Sequence, residues 1–510
     1  MDLLPNSAIE SERQVDSNAL KKRICVIGAG PTGLGALKVI CDATQYKDGL
    51  WEPVAFEARD AIGGVWLPAP PVDDPPLTPM YDSLTTNLPH PIMAYPSYPF
   101  PPGTLLYPPA LTVLQYLNDY ATHFDIHKHI RVKTTVRNID WDANIAQWRV
   151  LTTATNAAPD SLPEESLFDL VIIANGHYRV PLYPPTPGLK AWLDSGKAMH
   201  AAWYRHAEYH GDTVLVVGRG PSGIDVADEM REVCKTLVHS FPEAQSEDRE
   251  GGAVKLRGRI SEFLDPQEGR VRFEDGMEES GINYCVLATG YEHSLPFLPP
   301  HLLELAMPPP IPPIPKKLYN SKFHIFPLAK HIFPLVTSFP PSRLAILALP
   351  YRIIPFPFAE VQTRAVLKAF VDPAALDPSR EAVDIVSRYE ELRSQVGNNE
   401  LAIARLWHKM EIEQFPYRDA LHQFAGGEYA KPEWRVPDWV LEIWHHKVTL
   451  RAEWKELVKI GEAEKWVEGV GKSGGEAGTQ EWLAVMRRII QRAEQRKAEV
   501  SIDTAKMNRL

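Results

Sequence analysis

The chain's 510 residues suffice for two or three domains, and its 44% hydrophobic and 23% charged content is that of an ordinary globular protein. A net charge of −11, from 65 acidic and 54 basic residues spread along the chain, provides no basic field and excludes nucleic acid as a partner. No apolar run approaches the ~20 residues of a membrane span, and Cys25, Cys41, Cys234 and Cys285 lack C-x-x-C spacing, so we expect no disulfide framework, no membrane contact and a reducing, cytoplasmic setting.

Residues 1–20 have neither a basic start nor an apolar core, so they read as a loose tail and not as a secretory signal. The stretch Arg23 to Gly33, RICVIGAGPTG, is a short apolar strand running into G-x-G-x-x-G, with Gly28, Gly30 and Gly33. Such a loop makes a tight turn, presents a backbone without Cβ where a pyrophosphate must approach, and lets a helix pack close to its strand. Leu34 to Ala43 reads as that helix and Pro53 to Glu57 as the next strand. Glu57 stands where a dinucleotide fold places the carboxylate that accepts from ribose hydroxyls.

Gly63, Gly64 and Trp66 follow, then a proline-rich passage from Leu67 to Pro109 that contains Thr86 and Asn87. A second such passage runs from Pro299 to Pro357, and both read as ordered surface segments because they also carry aromatic and aliphatic residues. Tyr107 to Phe124 has amphipathic helical spacing through Leu111, Leu114, Tyr116, Leu117 and Tyr120. Ile130 to Ile139 and Gln147 to Thr152 read as strands of a meander, and Leu167 to Ala174 as a buried strand.

Thr213 to Gly223, TVLVVGRGPSG, then repeats the glycine loop with Gly218, Gly220, Pro221, Ser222 and Gly223. Two such loops predict two dinucleotides on one polypeptide. Asn283 to Ala288 is a further buried strand, expected to return to the first unit and ending in Thr289-Gly290-Tyr291. From about Ala375 the sequence turns charged and helical, with an apolar stripe of Trp482, Val485, Met486, Ile489, Ile490 and Ala493 expected to dock onto the chain's own body.

From about Arg23 to Ala369 the chain resembles the flavin-containing monooxygenases, in detail their soluble fungal members. Five marks carry the resemblance: GAGPTG at Gly28 to Gly33, Thr86-Asn87, the pattern of Gly196, His200 and Tyr204, GRGPSG at Gly218 to Gly223, and ATGY at Ala288 to Tyr291. Asp194 stands where the third pattern usually has an aromatic. A sister group, the Baeyer–Villiger monooxygenases, places Trp four residues after the histidine, where this chain has Tyr204.

The resemblance implies an α/β fold of two Rossmann-like dinucleotide-binding domains, the NADPH domain inserted into the FAD domain, with a C-terminal helical extension. The expected boundaries are 21–180 and 285–374 for FAD, 181–284 for NADPH and 375–510 for the extension. It implies that NADPH reduces FAD, that O2 then gives a flavin C4a-hydroperoxide, and that a nucleophilic sulfur or nitrogen of a small molecule is oxygenated without a metal. Asn87 is the implied catalytic residue. Gly28, Gly30, Pro31, Thr32, Gly33, Glu57, Gly64, Trp66, Thr86 and again Asn87 are implied as cofactor-binding, and Gly218, Gly220, Pro221, Ser222, Gly223, Thr289 and Gly290 complete the cofactor set. The family usually sets a basic side chain at the end of the second strand of the NADPH domain, but Leu237 to Gln245 contains no Arg or Lys, leaving only His239 and Ser240. Alternatives are Baeyer–Villiger oxidation of a ketone, and a flavin-binding protein whose C-terminus serves a partner. A homo-oligomer stays open.

Overall fold

The computed structural model describes residues 21–158 and 160–507, the side chains of 499–507 aside, so the tail expected over residues 1–20 lies outside the described residues. Two parallel sheets organise the chain. The first runs in the order Leu344–Ile346, Leu170–Ile173, Lys22–Ile27, Trp51–Phe56, Ile130–Arg131, with every pair parallel. The second runs Glu247–Arg249, Val254–Arg257, Thr236–Ser240, Thr213–Val217, Tyr284–Leu287, Ala198–His200, parallel except at its first pair.

The central strand of the first sheet is apolar without alternation because helices cover one face and a meander the other. Ile24 and Val26 share a core with the helices Pro31–Asp42, Ala110–His123 and Pro355–Val371. Cys25 and Ile27 face the opposite side, where Trp148, Val150 and Phe168 of the meander pack. All four cysteines are free thiols.

Several sequence expectations change. The strand expected to return to the first unit, Tyr284–Leu287, instead pairs with Thr213–Val217 and Ala198–His200 in the second sheet. The returning strand is Leu344–Ile346, hidden in the second proline-rich passage. Both are short apolar runs, so composition alone cannot assign a sheet. Residues 285–287, expected in the first unit, therefore lie in the second. A short ribbon of Val180–Pro181 and Tyr291–Glu292 forms part of the connection between the two sheets.

The expected strand Ile130 to Ile139 divides at Lys133, whose φ of 53° turns the chain from the first sheet into the meander strand Thr134–Asp142. Leu167 to Ala174 divides at Asp169, whose carboxylate accepts from the Arg23 backbone N–H and Lys22 Nζ. Leu111 is 63% exposed, so the amphipathic face of Ala110–His123 is carried by Val113, Tyr116, Leu117 and Tyr120 instead. The second proline-rich passage is ordered but is not a surface segment: Leu318, Ile325, Phe333 and Leu344 are fully buried. It ends in the helix Pro355–Val371, which the sequence reading missed because Pro355 and Pro357 disguise a first turn in which proline is tolerated.

The C-terminal stripe of Trp482, Val485, Met486, Ile489, Ile490 and Ala493 is buried on the chain's own body. The helices Asp438–Lys459 and Gly475–Met507 pack together, and their core includes Leu88, Ile92, Leu106 and Tyr107 of the first proline-rich passage. Arg487 pairs with Glu442, and Arg492 and Arg496 with Glu453, so the cationic side of the last helix is tied to its neighbour. Among the described residues no helix is long and apolar enough to cross a membrane.

Candidate functional site

Each glycine loop lies at the carboxyl end of an interior strand of its own sheet, Lys22–Ile27 in the first and Thr213–Val217 in the second. In the first, Gly28 turns the chain at φ +101°, and a Cβ there would stand 2.7 Å from the Ala174 carbonyl oxygen. A Cβ on Gly33 would come within 1.9 Å of the Gly28 oxygen, which is why the helix Pro31–Asp42 can start so close to its strand. Gly30 faces Gly64, whose own Cβ would lie 2.8 Å from the Gly30 Cα, so two backbones without side chains approach one another. Pro31 occupies the first turn and no side chain caps the helix, leaving the N–H groups of Thr32 and Gly33 directed outward.

The second loop repeats this geometry. Gly218 has φ +112°, with a Cβ position 2.3 Å from the Ala288 oxygen, and a Cβ on Gly223 would meet the Gly218 oxygen at 2.3 Å. Gly220 has open space where its Cβ would be. Pro221 starts the helix Pro221–Met230, again without a side-chain cap, and Ser222 and Gly223 hold the same positions as Thr32 and Gly33. Two helix N-termini of this kind present partial positive charge and unpaired N–H groups to an anion.

Glu57 follows the strand Trp51–Phe56 and is buried. Its Oε2 accepts from the Ala29 N–H at 2.8 Å and its Oε1 from the Arg59 N–H at 2.8 Å. Each carboxylate oxygen retains a further lone pair for a hydroxyl. Arg59, unforeseen in the sequence, donates to the carbonyls of Gly64, Leu67 and Pro68. It thereby fixes the turn that carries Gly64 and Trp66. No sequence signal marks it, because its partners are all backbone oxygens.

The segment Tyr81 to Asn87 joins the two units. Leu84 and Thr85 attach to the start of the helix Ala110–His123, through the Ala110 N–H to the Leu84 oxygen at 3.0 Å and a bridge between Thr85 and Pro109. Leu114 of that helix reaches Gly63, beside the first loop. On its other side, the Tyr81 hydroxyl donates to Asp225 at 2.7 Å, Ser83 donates to Glu229, and the Asp82 N–H donates to the Arg205 oxygen at 2.7 Å. Thr86 is buried and donates to the Leu88 oxygen at 2.8 Å. Asn87 between them is exposed.

The remaining marks group around the second loop. His200 ends the strand Ala198–His200, and its Nδ1 accepts from the Ala202 N–H at 3.1 Å. Burial lowers it to about 4, so it is neutral near pH 7 and serves as a cap. Tyr204 is buried against Tyr81 and donates to Glu229. Thr289 donates to the Leu182 oxygen at 2.6 Å, and Leu182 donates from its N–H to the Gly290 oxygen at 2.9 Å. Thr289 and Gly290 thus follow the strand next to the second loop, as Asn175 and Gly176 do beside the first. Arg205 gathers the carbonyls of Ala69, Thr78, Ala202 and Tyr204, a second clamp that the sequence did not reveal.

The helix Asp438–Lys459 reaches the same region. Arg451 contacts both oxygens of Asp225, at 2.9 and 3.2 Å, and Lys455 contacts Asp225 at 3.0 Å and Asp228 at 2.9 Å. Burial works to raise the Asp225 carboxyl. The Arg451 charge, the hydrogen bonds from Tyr81 and Arg451, and Lys455 outweigh it and hold the group below its usual range.

Comparison with known proteins agrees with this arrangement. The family described as flavin-binding monooxygenase-like matches residues 21–244. A thiol-specific monooxygenase of Saccharomyces cerevisiae is 29% identical over 69% of this chain and 77% of its own. The flavin-containing monooxygenase FMO GS-OX3 of Arabidopsis thaliana is 28% identical over 87% of this chain and 93% of its own. The solved structure of S-allyl-L-cysteine S-oxygenase from Allium sativum shares the fold, with a TM-score of 0.68 over 94% of this chain and 99% of that one at 21% identity.

Proposed function

We infer that the chain is a member of the flavin-binding monooxygenase-like family, as the match over residues 21–244 and the yeast and plant relatives support, and we propose that it binds FAD at its first glycine loop and NADPH at its second. It then transfers one oxygen atom of O2 to a nucleophilic sulfur, or failing that nitrogen, of a small molecule. The observation that carries the reading is the pair of uncapped glycine-loop helices, each at the carboxyl end of its own parallel sheet and joined through Tyr81 to Asn87. The names of the yeast and Allium proteins favour sulfur. The balance is thioether, NADPH, a proton and O2 giving sulfoxide, NADP+ and water.

Bound FAD would supply hydride acceptance and activation of O2; the chain supplies position and exclusion of water. The residues fit that cofactor: the N–H groups of Thr32 and Gly33 face a diphosphate, Gly30 and Gly64 permit close approach, and Glu57 retains lone pairs for ribose hydroxyls. Trp66 lies in the turn that Arg59 fixes, its backbone N–H donating to the Gly63 oxygen at 3.1 Å. In the second unit, Ser222 and Gly223 offer the corresponding N–H groups above the open face of Gly220, and Thr289 and Gly290 line the adjoining strand end. By the family resemblance Asn87 would act at bound flavin, where a neutral amide could both donate and accept without introducing an acidic proton.

Product analysis tests the reading. The FAD-loaded protein, given NADPH and air with a methyl aryl thioether and a cyclic ketone in competition, is expected to yield sulfoxide. Lactone as the main product, or no NADPH-dependent product from a panel of thioethers and tertiary amines, overturns it.

A further inference from the structure

We propose that Arg219 recognises the 2′-phosphate of NADPH and gives the second unit its selectivity against NADH, an inference that rests on reading this unit as the nicotinamide-cofactor site. The two units can be aligned through one hydrogen bond each. The Gly28 N–H donates to the Phe56 oxygen at 2.8 Å, and the Gly218 N–H donates to the Ser240 oxygen at 2.8 Å. The residue after each acceptor is therefore equivalent: Glu57 in the first unit, Phe241 in the second. The residue after each first glycine is equivalent too: Ala29 and Arg219.

In the first unit this pair is a backbone N–H bonded to a carboxylate, Ala29 to Glu57. In the second, the carboxylate has become an aromatic ring and the alanine a cation, with the Arg219 guanidinium 4.8 Å from the centre of the Phe241 ring. A carboxylate at this position accepts from a ribose 2′-hydroxyl and repels a 2′-phosphate; a guanidinium reverses both preferences. Stacking on Phe241 orients the guanidinium plane while leaving its edge N–H groups free for bidentate contact with phosphate oxygens.

The other candidates at this strand end are already engaged. His239 Nε2 lies 2.8 Å from the Gly218 oxygen, and burial lowers its pKa, keeping the ring uncharged. Ser240 donates to the Gly258 oxygen at 2.7 Å. On the adjacent strand Lys255 pairs with Glu279, and Arg257 with Glu279 and Asp248. Arg249 pairs with Glu247, and Arg231 with Glu250. Arg219 is exposed and, among the described residues, has no carboxylate or hydrogen-bond partner. The basic residue missing from the strand end is thus supplied from the glycine loop.

The test is calorimetric titration of the FAD-loaded protein with 2′,5′-ADP and with ADP, comparing wild type, Arg219→Ala and Arg219→Lys. Wild type is expected to bind 2′,5′-ADP at least about tenfold more tightly than ADP. Arg219→Ala should weaken 2′,5′-ADP by about ten- to a hundredfold, leave ADP unchanged and keep full FAD content; Arg219→Lys should retain part of the preference. A wild type without preference, or an Arg219→Ala protein that keeps it, overturns the assignment to Arg219. If the FAD-loaded wild type binds neither nucleotide, the reading of the second unit fails together with it.

Discussion

Asn87 and Glu57, the two side chains to which we assign cofactor roles by proposal, are held in two different ways. Glu57 is buried and held by two backbone N–H groups, so its carboxylate is fixed before anything binds. Asn87 is exposed between buried Thr86 and Leu88, and among the described residues its amide has no hydrogen-bond partner. Replacing Asn87 by Ala should therefore leave FAD content and NADPH oxidation nearly intact while sulfoxide yield falls at least about tenfold and hydrogen peroxide takes its place. Product and peroxide yields per NADPH, measured together, check this, and unchanged coupling would count against the role of Asn87. At this scale the sequence was most legible, because the constraints are local: Gly28 needs a positive φ, Gly33 has no room for a Cβ, and Glu57 follows directly on its strand. Arg59 and Arg205 were illegible because their partners are backbone carbonyl oxygens, which no residue type announces, and two of those of Arg205, on Ala69 and Thr78, also lie 136 and 127 positions away.

Among the elements, the helix Asp438–Lys459 has the widest influence on the site. Its apolar face shares a core with Leu88, next to Asn87, and its Arg451 and Lys455 hold Asp225 and Asp228 on the helix behind the second glycine loop. The extension thereby fixes the second unit relative to the segment that joins it to the first. Asp225 is about one-tenth exposed and Arg451 only slightly more, so Asp225→Asn leaves a mostly buried guanidinium short of its counter-charge. With allowance for the more exposed Lys455, the expected loss is about 1–3 kcal/mol of stability. The pH dependence has a definite sign. The folded-state carboxyl lies below its unfolded value, so its contribution is complete above that value, about pH 4, and is lost as pH falls through the folded pKa. Denaturant midpoints should differ between wild type and Asp225→Asn at pH 7 and converge at pH values below the folded pKa; an equal gap at both would exclude the ion pair as the cause. The sequence reading found this helix region but could not find its contacts, which join residues 226 and 230 positions apart. The same non-locality misled the assignment of Tyr284–Leu287, whose apolar run suits either sheet.

In the whole molecule, two similar strand-loop-helix units are linked by the ribbon of Val180–Pro181 and Tyr291–Glu292 and by the segment Tyr81 to Asn87. They differ in the pair beside the ribose position, Ala29 with Glu57 in one and Arg219 with Phe241 in the other. On our proposal that difference gives the units distinct partners, a dinucleotide that keeps its ribose hydroxyls in the first and a 2′-phosphorylated one in the second. The central claim is therefore that one chain holds both, close enough for hydride transfer. It is tested most directly by mixing the purified, FAD-loaded protein with NADPH in the absence of oxygen and following the flavin's visible absorption. The account predicts bleaching with NADPH, much slower bleaching with NADH, and recovery of the band when air is admitted. A protein that binds no flavin, or whose flavin NADPH leaves oxidised, would contradict it.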